Sequence, residues 1–250
     1  MKFIISLILL SPFALVAQNI SIGGGTTVLT LILNDSIVIA SDSRHFVENT
    51  LIPNSVDTVC KIGCKKKIAY AIAGNADISY NYKKVFNAYT ILSNIISETT
   101  SLAKMKERLD IDLNKNLKSA LKIIDTSALR KVLNLPFIEI VITKYENNKP
   151  VAIIINYSLN GSCVKNAKLQ GSVEPNAPIP FLHKTGFYQK INTFLDNNPK
   201  YLIDITTIKE KVVHLICLET TGTQKVGLPF DILVLKPNGV FYKMRVYKCN

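Results

Sequence analysis

Gly23, Gly24 and Gly25 precede Thr26, and Thr26 opens a β-branched, apolar run, TTVLTLIL. A threonine hydroxyl is a weak nucleophile until a base takes its proton, and a free α-amine on the same residue is such a base. That amine has a reference pKa of about 8, so a useful fraction is neutral near pH 7. Glycines let the backbone take the tight conformations that bring a peptide bond up to an attacking side chain. Cleavage between Gly25 and Thr26 would create nucleophile and base together, and the chemistry would be acyl transfer. The same residues also read as a leader attached to an ordinary strand.

The elements that must position these groups follow from hydrophobic periodicity. Thr26 to Leu33 and Ile37 to Ala40 read as a buried hairpin about the turn Asn34-Asp35-Ser36, and Thr58 to Ile62 pairs with Ile68 to Ala73 about Gly63 to Lys67. Tyr82, Val85, Phe86, Tyr89, Leu92, Ile95 and Ile96 recur at helical spacing, as do Leu102, Met105, Leu109, Leu113, Leu117, Leu121 and Ile124. Strands resume at Phe137 to Thr143 and Val151 to Tyr157. Helices are predicted near Phe187 to Leu195 and Leu202 to Leu218, and a last hairpin joins Phe230 to Leu235 with Val240 to Tyr247. The order of strands, two helices, strands, two helices, strands is satisfied by an α+β fold in four layers, an αββα sandwich.

With 250 residues, 48% hydrophobic, and no repeat or linker, one domain is the expectation. The net charge of +12 is spread along the chain, and only Lys65-Lys66-Lys67 forms a run. With no basic helix interleaved with aromatics, this reads as a solvated basic surface, not a nucleic-acid site; a basic adhesion or nucleic-acid protein is a rival reading with salt-sensitive binding. Met1-Lys2, the apolar run Phe3 to Leu10 and the small residues before Gln18 have the layout of a secretory signal peptide cut after Ala17 or Gln18. The apolar stretch is short for a membrane span, so no stable span is expected after processing. Export, to the periplasm or beyond the cell, would place Cys60, Cys64, Cys163, Cys217 and Cys249 where disulfides persist, with at least one unpaired within the chain. Cys60 and Cys64 lack a second Cys/His pair at metal-site spacing, so no metal is expected, and no motif calls for a cofactor; Cys217 reads as a buried small hydrophobe.

Gly25-Thr26-Thr27 followed by Ile37-Val38-Ile39-Ala40-Ser41-Asp42-Ser43-Arg44 resembles the start of a proteasome β subunit, a member of the N-terminal nucleophile hydrolases. Thr58-Val59-Cys60-Lys61-Ile62 resembles the family's lysine-bearing stretch, displaced by a short insertion. Ala71-Ile72-Ala73-Gly74-Asn75-Ala76-Asp77 resembles its alanine- and glycine-rich turn. The resemblance implies a proteasome-like αββα fold and an exported threonine-type peptidase that processes itself at Gly25-Thr26. Residues 1–17 would be signal peptide, 18–25 leader and 26–250 the domain. Thr26 would be the nucleophile, with Lys61 lowering its effective pKa and Asp42 holding the lysine. The Gly74 N–H would face the oxyanion, and Thr185 would stand in for the family's serine. Ser43 and Arg44 would support the site. The family's late aspartate and serine fall near Thr223 and Val226, which do not match; Asp231 close by reads as a strand residue. Peptide substrates and a homo-oligomer, ring-like or smaller, are implied. The competing expectation is a catalytically inactive subunit used for binding or assembly.

Overall fold

Ile68, Tyr70 and Ile72 alternate with Ala69, Ala71 and Ala73 along one strand, and the two sets pack into different apolar clusters on opposite faces. That period of two, with both faces covered, explains why several strands here read as unbroken hydrophobic runs. The computed structural model describes residues 20–24, 26–49, 55–58, 60–124, 126–174, 179–202, 207–220, 226–247 and 249.

The strands are β1 (Ile20–Gly24), β2 (Thr27–Ile32), β3 (Ile37–Asp42), β4 (Arg44–Asn49), β5 (Ser55–Thr58), β6 (Ile62–Lys65), β7 (Ile68–Gly74), β8 (Asp77–Tyr80) and β9 (Lys83–Asn87). After helices α1 (Ala88–Glu98) and α2 (Leu102–Ala120) come β10 (Pro136–Glu146), β11 (Lys149–Asn160), β12 (Lys168–Val173) and β13 (Phe181–Gly186). Helices α3 (Gln189–Asn197) and α4 (Ile208–Thr220) precede β14 (Phe230–Leu235) and β15 (Phe241–Val246). They form three five-stranded sheets, in the orders β5-β4-β1-β8-β9, β12-β11-β10-β7-β6 and β13-β2-β3-β14-β15. Every pairing recorded is antiparallel.

The second and third sheets share a core of Val28, Ile32, Ile37 and Ile39 against Ala69, Ala71 and Ala73, with Leu233 and Leu235 from β14. The alternate residues Leu29, Leu31, Val38, Ile232 and Val234 turn the other way, toward Ile191 of α3 and Val212, Leu215 and Ile216 of α4. Ile91, Leu92 and Ile95 of α1 and Met105, Leu109 and Leu113 of α2 cover Ile68, Ile72, Ile140 and Ile142. Asn87 caps α1 by accepting from the Thr90 N–H at 2.9 Å, and Ser101 caps α2 from the Lys104 N–H.

The expected four-layer αββα sandwich is corrected by this arrangement. Among the described residues the chain builds three antiparallel sheets with four α-helices, and β1, β4, β5, β8 and β9 form a sheet additional to the two of a four-layer stack. Two local expectations change with it. Lys83–Asn87 is a strand, with Tyr82 78% exposed, because Val85 and Phe86 suit a paired strand as well as a helix face. Ile62–Lys65 is a strand too, and its turn lies at Lys66 and Lys67, both at positive φ. The signal-peptide and cleavage assignments fall on residues 1–19, outside the described residues. Among the described residues no helix is long and apolar enough to cross a membrane.

Candidate active site

Thr26 ends the crossing from the first sheet to the third. β1 stops at Gly24 and β2 starts at Thr27, so only Gly25 and Thr26 join the two. Asp42 is the last residue of β3, the antiparallel neighbour of β2, in which Val28 pairs with Ser41; the hairpin thus brings residue 42 alongside the start of β2. Lys61 lies just before β6, where its carbonyl accepts from the Ile72 N–H at 3.1 Å. The β2–β3 hairpin sets Thr26 beside Asp42, and the packing of the second sheet on the third brings Lys61 to them.

The Thr26 Oγ1 donates to Asp42 Oδ1 at 2.6 Å, Lys61 Nζ donates to the same oxygen at 3.1 Å, and the Thr27 backbone N–H donates to it at 2.9 Å. The three side chains are buried, at 3% for Thr26, 0% for Asp42 and 2% for Lys61. Burial penalises both charges. It raises the Asp42 pKa against the opposing pull of Lys61 and of the Thr26 and Thr27 donors, and it lowers that of Lys61 against the pull of Asp42. A lysine driven down and a carboxyl driven up approach each other in proton affinity, the condition under which a proton passes readily between such groups.

Gly74 closes β7 opposite Ile138 at φ +88°, and a Cβ there would lie 2.4 Å from the Phe137 carbonyl oxygen. It lines a cleft of about 490 Å³ shared with Gly186, Thr185, His183, Glu139 and Glu174. Gly186, which closes the Lys184-Thr185-Gly186 stretch where the resemblance puts the family's glycine-serine-glycine turn, packs closely on the nucleophile. It sits at φ +81°, a Cβ would come within 1.9 Å of the Thr26 carbonyl oxygen, and the next residue, Phe187, donates its N–H to that oxygen at 2.9 Å. The Thr27 hydroxyl donates to the Phe187 carbonyl at 2.5 Å, pinning β2 to the end of β13. Thr185 has a different engagement from the one expected. Its hydroxyl donates to Glu139 Oε1 at 2.5 Å and lies 2.9 Å from His183 Nε2.

Asp231 is a buried strand residue, as expected, and is also tied to the site. It accepts from the Ser43 hydroxyl at 3.0 Å and takes a two-pronged contact from Arg245, at 2.9 and 3.0 Å, with Lys243 at 3.6 Å. Burial alone would raise its pKa, but Arg245, Lys243 and Ser43 together hold it below the usual carboxylate value. The residue after Asp42 is thereby fixed. Val226 is buried and apolar, and Thr223 lies outside the described residues, as does the leader residue Gly25; the side chain of Arg44 is likewise not described. Cys217 is buried but not as a lone hydrophobe, since it forms a disulfide with Cys249; Cys60, Cys64 and Cys163 carry none.

No family model matches this chain, and no curated protein sequence does. Solved structures do. A Gly-1 mutant of Anbu from Hyphomicrobium sp. strain MC1 matches over 89% of this chain and 88% of its own, at TM-score 0.55 and 13% identity. Anbu, an ancestral β-subunit, from Yersinia bercovieri matches over 89% and 87%, at TM-score 0.55 and 11% identity. A further Anbu structure from the Hyphomicrobium strain matches over 90% and 88%, at TM-score 0.53 and 11% identity. The likeness shows a shared fold, that of a proteasome-like β-subunit. It corrects the narrower expectation: placement in the N-terminal nucleophile hydrolase family with a secretory signal peptide has no family model or curated relative behind it, and nothing among these findings supports the signal.

Proposed function

We propose that this chain is a threonine-type amide hydrolase acting on peptides, made active by cleavage of its own Gly25–Thr26 bond. The observation that carries the reading is the meeting of the Thr26 hydroxyl and the Lys61 ammonium on one buried carboxylate oxygen of Asp42. In the first step the Thr26 hydroxyl adds to the Gly25 carbonyl, and its proton passes toward the Lys61–Asp42 pair. The acyl group moves from nitrogen to oxygen, and water then hydrolyses the ester to leave Thr26 with a free α-amine.

That amine becomes the proton acceptor for turnover. Thr26 Oγ1 adds to a substrate amide carbon, the proton passes to the amine, and the tetrahedral oxyanion faces the Gly74 N–H. Such a donor is worth about 3–4 kcal/mol in acyl transfer. The proton then leaves with the departing amine, and water releases the acyl-enzyme. Lys61 holds positive charge beside the hydroxyl, and Asp42 positions both. Residues 26–250 would form the working domain. The fold shared with an ancestral β-subunit supports assembly of several copies.

The competing reading, an inactive subunit, is favoured by the buried apolar Val226 where the resemblance calls for a polar support. Labelling with a peptide epoxyketone decides between them. The hydrolase is modified once, on Thr26, and Thr26→Ala is not. A folded, processed chain that takes up no label is the inactive subunit.

A further inference from the structure

In a chain of net charge +12, two carboxylates are gathered on the cleft that Gly74 and Gly186 line. Glu139 comes from β10 in the second sheet, Glu174 follows β12, and His183 and Thr185 are alternate residues of β13 in the third sheet. One ligand atom each from Glu139, Glu174 and His183 lies within 4.8 Å of the other two. His183 Nε2 is 2.5 Å from Glu139 Oε1, while His183 Nδ1 is 3.5 Å from Glu174 Oε2. The Thr185 hydroxyl is within 2.9 Å of both Nε2 and Oε1, and Asn156 Nδ2 steadies Glu174 at 2.6 Å.

We propose that Glu139, Glu174 and His183 bind one divalent metal ion of the Zn²⁺ or Mn²⁺ class at this cleft. The Thr185 hydroxyl and the one N–H of a neutral imidazole supply two protons to three acceptors, Glu139 Oε1, Glu174 Oε2 and the bare ring nitrogen, so one acceptor is left short. Their mutual repulsion is relieved by a cation in the gap or by a second proton on the imidazole. Two carboxylates and a neutral imidazole carry a charge of about −2, which a dication neutralises.

Size separates a metal from a substrate ammonium group. Donors at about 2.1 Å from a metal stand about 3.0–3.4 Å apart. Acceptors shared by an ammonium at about 2.8 Å stand about 4.6 Å apart. Glu139 Oε1, at 2.5 Å from His183 Nε2, stands far closer than two acceptors sharing an ammonium, and one ion would take Nε2 with Glu139 while Glu174, now 3.5 Å from Nδ1, turns toward it. The imidazole suits zinc and the carboxylates suit manganese, hence the class. The ion would bridge the two facing sheets at the mouth of the cleft. This inference does not depend on the hydrolase reading, because its test measures binding alone.

Calorimetric titration of Zn²⁺, and separately of Mn²⁺, into the tag-free chain tests it. The expected result is one saturable equivalent for at least one ion. Glu139→Gln and His183→Ala, each shown folded by its thermal transition, should weaken uptake at least tenfold. Glu98→Gln, on the exposed face with Arg108, should not change it. No saturable uptake by the folded wild-type chain, the result expected of an imidazolium held between carboxylates, overturns the proposal. So does uptake that survives both Glu139→Gln and His183→Ala.

Discussion

Replacing Lys61 with methionine removes the cation that pairs with Asp42 at 3.1 Å, while keeping much of the buried volume. Asp42 is fully buried, and its Oδ1 would still accept from Thr26 and Thr27, but the charge would be uncompensated. Breaking a buried pair on one side typically costs about 3–5 kcal/mol. For a chain of this size, about 2–4 °C per kcal/mol turns that into a fall of about 6–20 °C in Tm. The loss also has a sign in pH. Burial already raises the Asp42 pKa, and loss of Lys61 raises it further. A carboxyl whose folded pKa exceeds its unfolded value binds protons more readily when folded. The variant therefore gains stability relative to wild type as pH falls through the raised pKa, and loses it as pH rises. Adding Asp42→Asn removes the stranded charge and should restore at least half of the lost stability. Thermal unfolding of wild type and the two variants between pH 5 and pH 8 (chosen to bracket neutrality, roughly the span of greatest stability) is the assay. A loss under about 1 kcal/mol, or a double variant no better than Lys61→Met, refutes the buried-pair argument.

Gly186→Ala forces a side chain into a left-handed backbone, costing at least about 1–2 kcal/mol, and drives its Cβ into the Thr26 carbonyl. Its epoxyketone labelling should fall more than its Tm does; equal and small effects on both would contradict the contact. Reducing Cys217–Cys249, which are separated by 32 residues, should lower stability by about 3–4 kcal/mol, read as a drop in Tm with dithiothreitol that Cys249→Ala does not show. β1 pairs four residues with β4 and four with β8, and Ile20 is buried at 2%. After cleavage at Gly25–Thr26 the fragment carrying β1 should co-elute with the domain on native size exclusion and separate in denaturant. Its loss under native conditions would show that the strand depends on its covalent link.

Thr26 and Asp42 were legible together because one hairpin sets them side by side, whereas Lys61, which lies beside β6 in another sheet, was marked only by the resemblance of its stretch to the family's lysine-bearing one. The strands β2, β3, β7 and β14, and the 137–143 stretch of β10, were legible because most of their residues are buried and apolar. β1 was not. Two of its five residues are glycine, and it becomes a strand by pairing on both edges, not by propensity. The segment taken as a loose leader is thereby the middle of a sheet. Nor was the cluster on the cleft visible, since His183 meets Glu139 from 44 residues away and only the meeting of two sheets brings them together. The contact of Gly186 with Thr26 was hidden for a related cause: its need for a positive φ appears only once β13 lies against Thr26.

The N-terminal residue and intact mass of the purified protein, compared between wild type and Thr26→Ala, test the central claim most directly. The account predicts a wild-type chain beginning at Thr26 and a Thr26→Ala chain in which the bond after Gly25 is whole. A wild-type chain with that bond intact, or cleavage there in Thr26→Ala as well, would contradict it.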